Sequence, residues 1–155
     1  MTPSQRLAEL GLELPAVPEP LAAYVPAVTS GEYVWTSGQL PMRDGALVAT
    51  GKVGEGPGLV SPADAKELAR IAALNALAAI AQQAGGLDRV VQVVKVVGFV
   101  ASDPSFTGQP GVVNGASELI GDVFAEQGIH ARSAVGVASL PIDAPVEVEV
   151  VARIA

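Results

Sequence analysis

The sequence predicts an α+β fold, a mixed β-sheet with two long helices packed on one of its faces. Three observations predict it. Residues 62–84 and 112–127 carry apolar side chains at three-to-four spacing, the period of a helix that buries one face. The segment Val90–Val100 is valine-rich and free of proline, and Val146–Ile154 alternates strictly, so both read as strands. The order of elements, β-β-(β)-α-β-α-β-β, places both helices on one side of the sheet and leaves the other side uncovered.

Each element has a local reason. Residues 1–23 read as an N-terminal arm: a short helix from Pro3 to Leu10, then an extended approach punctuated by Pro15, Pro18 and Pro20, which removes backbone donors and wraps the surface. Tyr24 to Ser37 forms two short strands separated by Ser30-Gly31-Glu32, with Val25, Val28, Tyr33, Val34 and Trp35 as strand formers. Asp44-Gly45 marks a hairpin turn, followed by an irregular loop to Leu59. Ser61-Pro62-Ala63-Asp64 starts the first long helix, with serine as N-cap, proline at the first helical position and an acid in the first turn. Its inner stripe runs through Leu68, Ile71, Leu74 or Asn75, Leu77 or Ala78, and Ala81, and Gly85-Gly86 ends it. Asp103 to Pro110 is a loop. The second long helix, Val112 to Gln127, turns Val112, Ala116, Leu119 or Ile120, and Val123 inward and stops at Gly128. Arg132 to Ala138 is a strand, Leu140 to Pro145 a turn. Val146 to Ile154 is the last strand, with Val146, Val148, Val150, Ala152 and Ile154 on one face and Glu147, Glu149, Val151 and Arg153 on the other. The strand opened by Arg132 and the strand carrying Glu147 are expected to pair antiparallel as a hairpin. The uncovered, valine-bearing sheet face is expected to bury itself against other subunits.

Composition narrows the function. A chain of 155 residues predicts one domain over 1–155. Sixteen acidic against nine basic residues give a net charge of −7, the wrong sign for a broad nucleic-acid surface. Without cysteine there is no disulfide, thiolate nucleophile or thiolate metal site, and a single histidine cannot build a His-rich metal site. No secretory pattern opens the chain, and the Ala-rich stretch 69–81 is too short to cross a bilayer, so a cytoplasmic protein is expected.

Four features could carry chemistry. Arg132 offers a planar fork suited to a carboxylate, against the plain reading of a solvated arginine at a strand end. Glu147 could orient a water beside a bound anion, or simply pair with Arg132 in a salt bridge. In Thr36-Ser37-Gly38-Gln39 a glycine admits close approach of a ligand and a serine supplies a hydroxyl, although an ordinary strand-ending turn has the same residues. His130 reads as a surface residue at a strand entry. The glycines at 51, 54, 56 and 58 match neither a phosphate loop nor a dinucleotide fingerprint.

In combination these segments resemble the RidA family, the YjgF-like imine deaminases also labelled endoribonuclease L-PSP. The resemblance runs from Tyr24 to the C-terminus. It rests on Tyr24-Val25, Thr36-Ser37-Gly38-Gln39-Leu40-Pro41, Val113-Asn114, and above all Ala131-Arg132-Ser133, Val137-Ala138-Ser139-Leu140-Pro141 and Val146-Glu147-Val148-Glu149. It implies a chorismate-mutase-like α+β fold assembled as a homotrimer with ligand clefts between subunits. It also implies hydrolysis of reactive enamines and imines, of the 2-aminoacrylate type, to 2-keto acids and ammonia, with neither metal nor cofactor. Arg132 would clamp the substrate carboxylate and Glu147 would position water. Tyr24, Ser37, Gly38 and Asn114 would line the cleft, with a backbone contact at Ala134. The alternatives are a non-catalytic binder of small carboxylates and an endoribonuclease or translation inhibitor. The sequence departs from the family in having Ala134 where cysteine is common, and Val25-Pro26-Ala27-Val28 where a Gln-Gly pair is usual. With a long 49–60 loop and an extended arm, it looks like a longer, divergent branch.

Overall fold

The computed structural model describes residues 1–19 and 23–155. Pro20, the last proline of the expected extended approach, lies outside the described residues.

Helix α1 (Pro3–Glu9) opens with a capping box in which Thr2 and Gln5 satisfy each other's backbone N–H groups. Its Ser4 donates from both backbone N–H and hydroxyl to Asp88, at 2.8 and 2.7 Å, which holds that carboxyl below its ordinary pKa. Strands β1 (Ala27–Ser30) and β2 (Tyr33–Thr36) form the first hairpin, and β3 (Met42–Arg43) and β4 (Ala46–Leu47) a second around Asp44-Gly45, as expected. Asn75, half-buried on the following helix, donates to the carbonyls of Leu40 and Met42 at 3.0 Å each and holds this small hairpin down.

Helix α2 (Pro62–Ala84) begins where the Ser61 hydroxyl accepts from the Asp64 N–H, and ends at Gly85. Its buried stripe is chiefly alanine, including Ala65, Ala69, Ala72, Ala73 and Ala76. Ile71, Leu74 and Ala81, expected on that stripe, are only half-buried at its margin. Short side chains let the next helix approach closely. A Cβ added at Gly115 would stand 1.9 Å from the Lys66 carbonyl oxygen, so no larger residue fits unless the helix backbones part.

Strand β5 (Val90–Ala101) is the long strand expected from the valine run. Helix α3 (Gln109–Phe124) starts three residues earlier than its apolar periodicity suggests, because Pro110 serves as a first-turn residue. It ends earlier too, and Ala125–Gly128 continue as a 3-10 turn. Strands β6 (Ala131–Val137) and β7 (Val146–Ile154) complete the sheet.

The five-stranded sheet has the order β1-β2-β7-β5-β6. β5 and β6 are parallel and every other pairing is antiparallel. Helix α2 lies across β1, β2 and β7, and α3 across β5 and β6, on the same face. The hairpin expected between the strands of Arg132 and Glu147 does not form. The crossover through α3 forces β6 to run parallel to β5. The chain from Ala138 to Pro145 is then long enough to pass the end of β5 and deliver β7 to its other edge. There Val146, Val148, Val150 and Ala152 are buried beneath the helices, and both edges of β7 find partners.

The opposite sheet face is open, as expected. Val28 is paired with Trp35, and Phe99 with both Val135 and Glu147, on the side the helices do not cover; Trp35 is 53% exposed.

Candidate functional site

Period-two alternation puts Arg132 and Glu147 on opposite faces. Arg132 pairs with Val96, which is buried under the helices, and Glu147 pairs with Phe99 on the open face. Three residues along β5 and two strand spacings separate them, roughly 14 Å between Cα atoms. The candidate residues therefore fall into two groups within one chain, and neither the expected proximity nor a salt bridge between Arg132 and Glu147 is made. The ion pair found among the described residues is Lys66–Glu118, between α2 and α3.

The first group is built on the edge strand β6 and on α3. The Arg132 guanidinium donates from Nη1 to Asn114 Oδ1 at 2.7 Å and to Ser117 Oγ at 3.2 Å, and from Nη2 to the Pro110 carbonyl at 3.3 Å. Asn114 and Ser117, three apart, share the face of α3 turned toward it. A guanidinium carries five N–H donors. Both Nη1 hydrogens and one on Nη2 are engaged, which leaves Nε–H and the second Nη2–H without a partner among the described residues, the pair a carboxylate takes in a two-bond clasp. Ala134 is two residues farther along the same face of β6, opposite Gly98, with its methyl group packed against the core.

His130 corrects its expectation as a plain surface residue. It is half-buried, with both ring nitrogens engaged: Nδ1 lies 2.6 Å from the Gly128 carbonyl and Nε2 lies 2.9 Å from Ser117 Oγ. Ser117 was not visible as a functional residue in the sequence. The signal that could have found it is its i+3 relation to Asn114.

The second group lies where β2 runs out beside the start of β7. Thr36 Oγ1, rather than a backbone carbonyl, accepts from the Val150 N–H at 3.0 Å. The ladder resumes at Gln39 opposite Val148, so Thr36-Ser37-Gly38 forms a local bulge. Ser37 turns back toward the start of β1, donating its hydroxyl to the Val25 carbonyl at 2.6 Å and its N–H to Pro26. Tyr24, the neighbour of Val25, stands exposed at this end of the sheet. Gly38 touches Glu147 so closely that an added Cβ would lie 2.0 Å from Glu147 Oε1. Burial, and then the charge of Glu149, raise the Glu147 carboxyl above its ordinary pKa.

This contact makes Gly38→Ala a sharp probe. The obstructed atoms are the end of a flexible side chain, so the variant is expected to fold within about 1 kcal/mol of the parent while displacing the carboxylate. Thermal unfolding and an NMR titration of the Glu147 carboxyl check this: the melting curve should stay, and the displaced carboxyl should titrate closer to its ordinary value.

The described residues contain no cluster of three or more metal-ligating side chains, and no helix long and apolar enough to cross a membrane.

A family model described as "YjgF/chorismate mutase-like, putative endoribonuclease" matches residues 4–154. Protein TCP17 of Trypanosoma cruzi is 46% identical over 144 residues, 92% of this chain and 88% of that protein. Among solved structures, the protein Atu1372 of Agrobacterium tumefaciens, described as of unknown function, superposes with a TM-score of 0.89 at 44% identity, covering 99% of this chain and 92% of that one. TdcF of E. coli, solved with bound serine, superposes with a TM-score of 0.64 at 26% identity, covering 90% and 94%.

Proposed function

Because the chain belongs to the YjgF/chorismate mutase-like family, also known as RidA, we propose that it hydrolyses reactive enamines and imines of small carboxylic acids, of the 2-aminoacrylate type, to 2-keto acids and ammonia. The observation that carries this reading is the tethered Arg132 guanidinium, held from one side by Asn114, Ser117 and Pro110 and keeping two N–H donors for an anion. A guanidinium fixed in this way clasps a carboxylate without first losing side-chain freedom, which favours binding. TdcF, a relative of the same fold, was solved with serine, a small molecule bearing a carboxylate.

In the proposed reaction Arg132 holds the substrate carboxylate and Glu147 holds the attacking water. An enamine first becomes the imine by gaining a proton at its terminal carbon and losing one from nitrogen; water then adds to the C=N carbon, the resulting carbinolamine loses ammonia, and the 2-keto acid remains. Imines already hydrolyse in water, so fixing the substrate and one water molecule supplies most of what is needed. A raised pKa suits a carboxyl that takes a proton from that water and returns it to the leaving nitrogen.

The two groups of residues belong to different faces of one chain, and the open sheet face carries Trp35, Val28 and Val135. A homotrimer explains both: Arg132, Asn114 and the Ala134 backbone of one subunit would meet Glu147, Gly38, Ser37 and Tyr24 of the next across a seam. The endoribonuclease label fits the chemistry less well. Three lysines and six arginines against sixteen acids leave a chain that repels a phosphate backbone.

The test is release of 2-keto acid from freshly generated 2-aminoacrylate, followed with and without the protein. Accelerated release is the expected result. Binding of a 2-keto acid without acceleration would instead identify a non-catalytic carboxylate binder.

A further inference from the structure

We propose that Ser117 and His130 are positioning residues that set the carboxylate clasp of Arg132, a role resting on the reading of Arg132 given above. With the His130 ring neutral, chemistry fixes the direction of every hydrogen bond in this network. The Gly128 carbonyl can only accept, so His130 Nδ1 carries the proton and donates to it. In the neutral ring Nε2 is then an acceptor, and the Ser117 hydroxyl must donate to it. With its hydrogen committed, Ser117 Oγ turns its lone pairs toward Arg132 Nη1.

The result is a one-way relay: Arg132 donates to Ser117, Ser117 to His130, and His130 to the backbone. Asn114 alone would hold Nη1 at one point and leave the guanidinium plane free to swing about it. Ser117 supplies a second acceptor on the same nitrogen, and the Pro110 carbonyl a third on Nη2, which fixes the plane. His130 lies two residues before Arg132, and α3 brings Ser117 between them. Removing the imidazole would release the Ser117 hydroxyl to rotate, so that its hydrogen can turn toward Arg132 and its lone pairs no longer hold Nη1.

The test measures binding of pyruvate and of its primary amide by calorimetry, for the parent protein and four variants. Ser117→Ala and His130→Leu are expected to weaken pyruvate about tenfold, the scale of one hydrogen bond to a charged group, while leaving pyruvamide unchanged. Ser117→Thr keeps the hydroxyl and His130→Gln can keep an acceptor, and both are expected to bind pyruvate nearly as the parent does. A parent protein that does not prefer pyruvate over pyruvamide would overturn the Arg132 clasp and this role with it. A parent that prefers pyruvate, alongside Ser117→Ala and His130→Leu variants with the same preference, would overturn the positioning role and leave the clasp standing. Equal loss of both ligands in those two variants would also overturn it, by showing a structural defect.

Discussion

Replacing Arg132 by alanine is expected to abolish carboxylate binding while leaving the fold and the proposed trimer intact. Two charge-assisted hydrogen bonds, each worth about 1.5–3 kcal/mol, disappear together, which corresponds to a loss of at least about a hundredfold in affinity. The groups left behind are the Asn114 amide, the Ser117 hydroxyl and the Pro110 carbonyl. They stand at the edge of the sheet, where water can replace the guanidinium, so the fold loses little. Arg132→Lys should recover only part of the binding, because an ammonium keeps the charge but cannot engage Asn114, Ser117 and a carboxylate in one plane. Calorimetry with a 2-keto acid and sedimentation of each variant check the two halves of the expectation. Unchanged turnover in Arg132→Ala would show that the anion is held elsewhere.

Glu147→Gln is expected to spare ligand binding and slow turnover by about a hundredfold or more, the usual contribution of a positioned acid or base. It should also change the pH dependence. Activity that needs the ionised carboxylate is lost as the pH falls through its raised pKa, and that limb should flatten in the glutamine variant. The effect on stability has the opposite sense. A carboxyl whose pKa rises on folding adds stability that is complete below its unfolded value, near about 4.3, and is lost as the pH climbs through the folded value. Glu147→Gln should therefore melt above the parent at neutral pH and alongside it near about pH 4. Equal losses of binding and turnover would mark Glu147 as a structural group instead.

Local chemistry made much of the fold legible in advance. The N-cap at Ser61, the turn at Asp44-Gly45, the stop at Gly85 and the alternation of Val146–Ile154 each depend on residues within a few positions of one another. Arg132, Glu147 and Gly38 are legible from residue type and local pattern, and Asn114 through the family resemblance. Their grouping is not, because the expected hairpin places Arg132 beside Glu147. Ser117 and the two-sided bonding of His130 stayed hidden because a serine in mid-helix and a histidine before a strand carry no short-range signature.

The sequence by itself determined which segments become helices and strands, which face of each is apolar, and which residue types are present for chemistry. These follow from backbone preference and from the periods of 3.6 and 2, both of which act along the chain. Only the tertiary structure decided which strands became neighbours. The α3 crossover set β6 parallel to β5, and the 138–145 connection carried β7 past β5, so Arg132 and Glu147 parted to opposite faces. Strand partnership is a contest among long-range pairings, settled by connection geometry and by burial of the whole sheet, and no local pattern encodes its result.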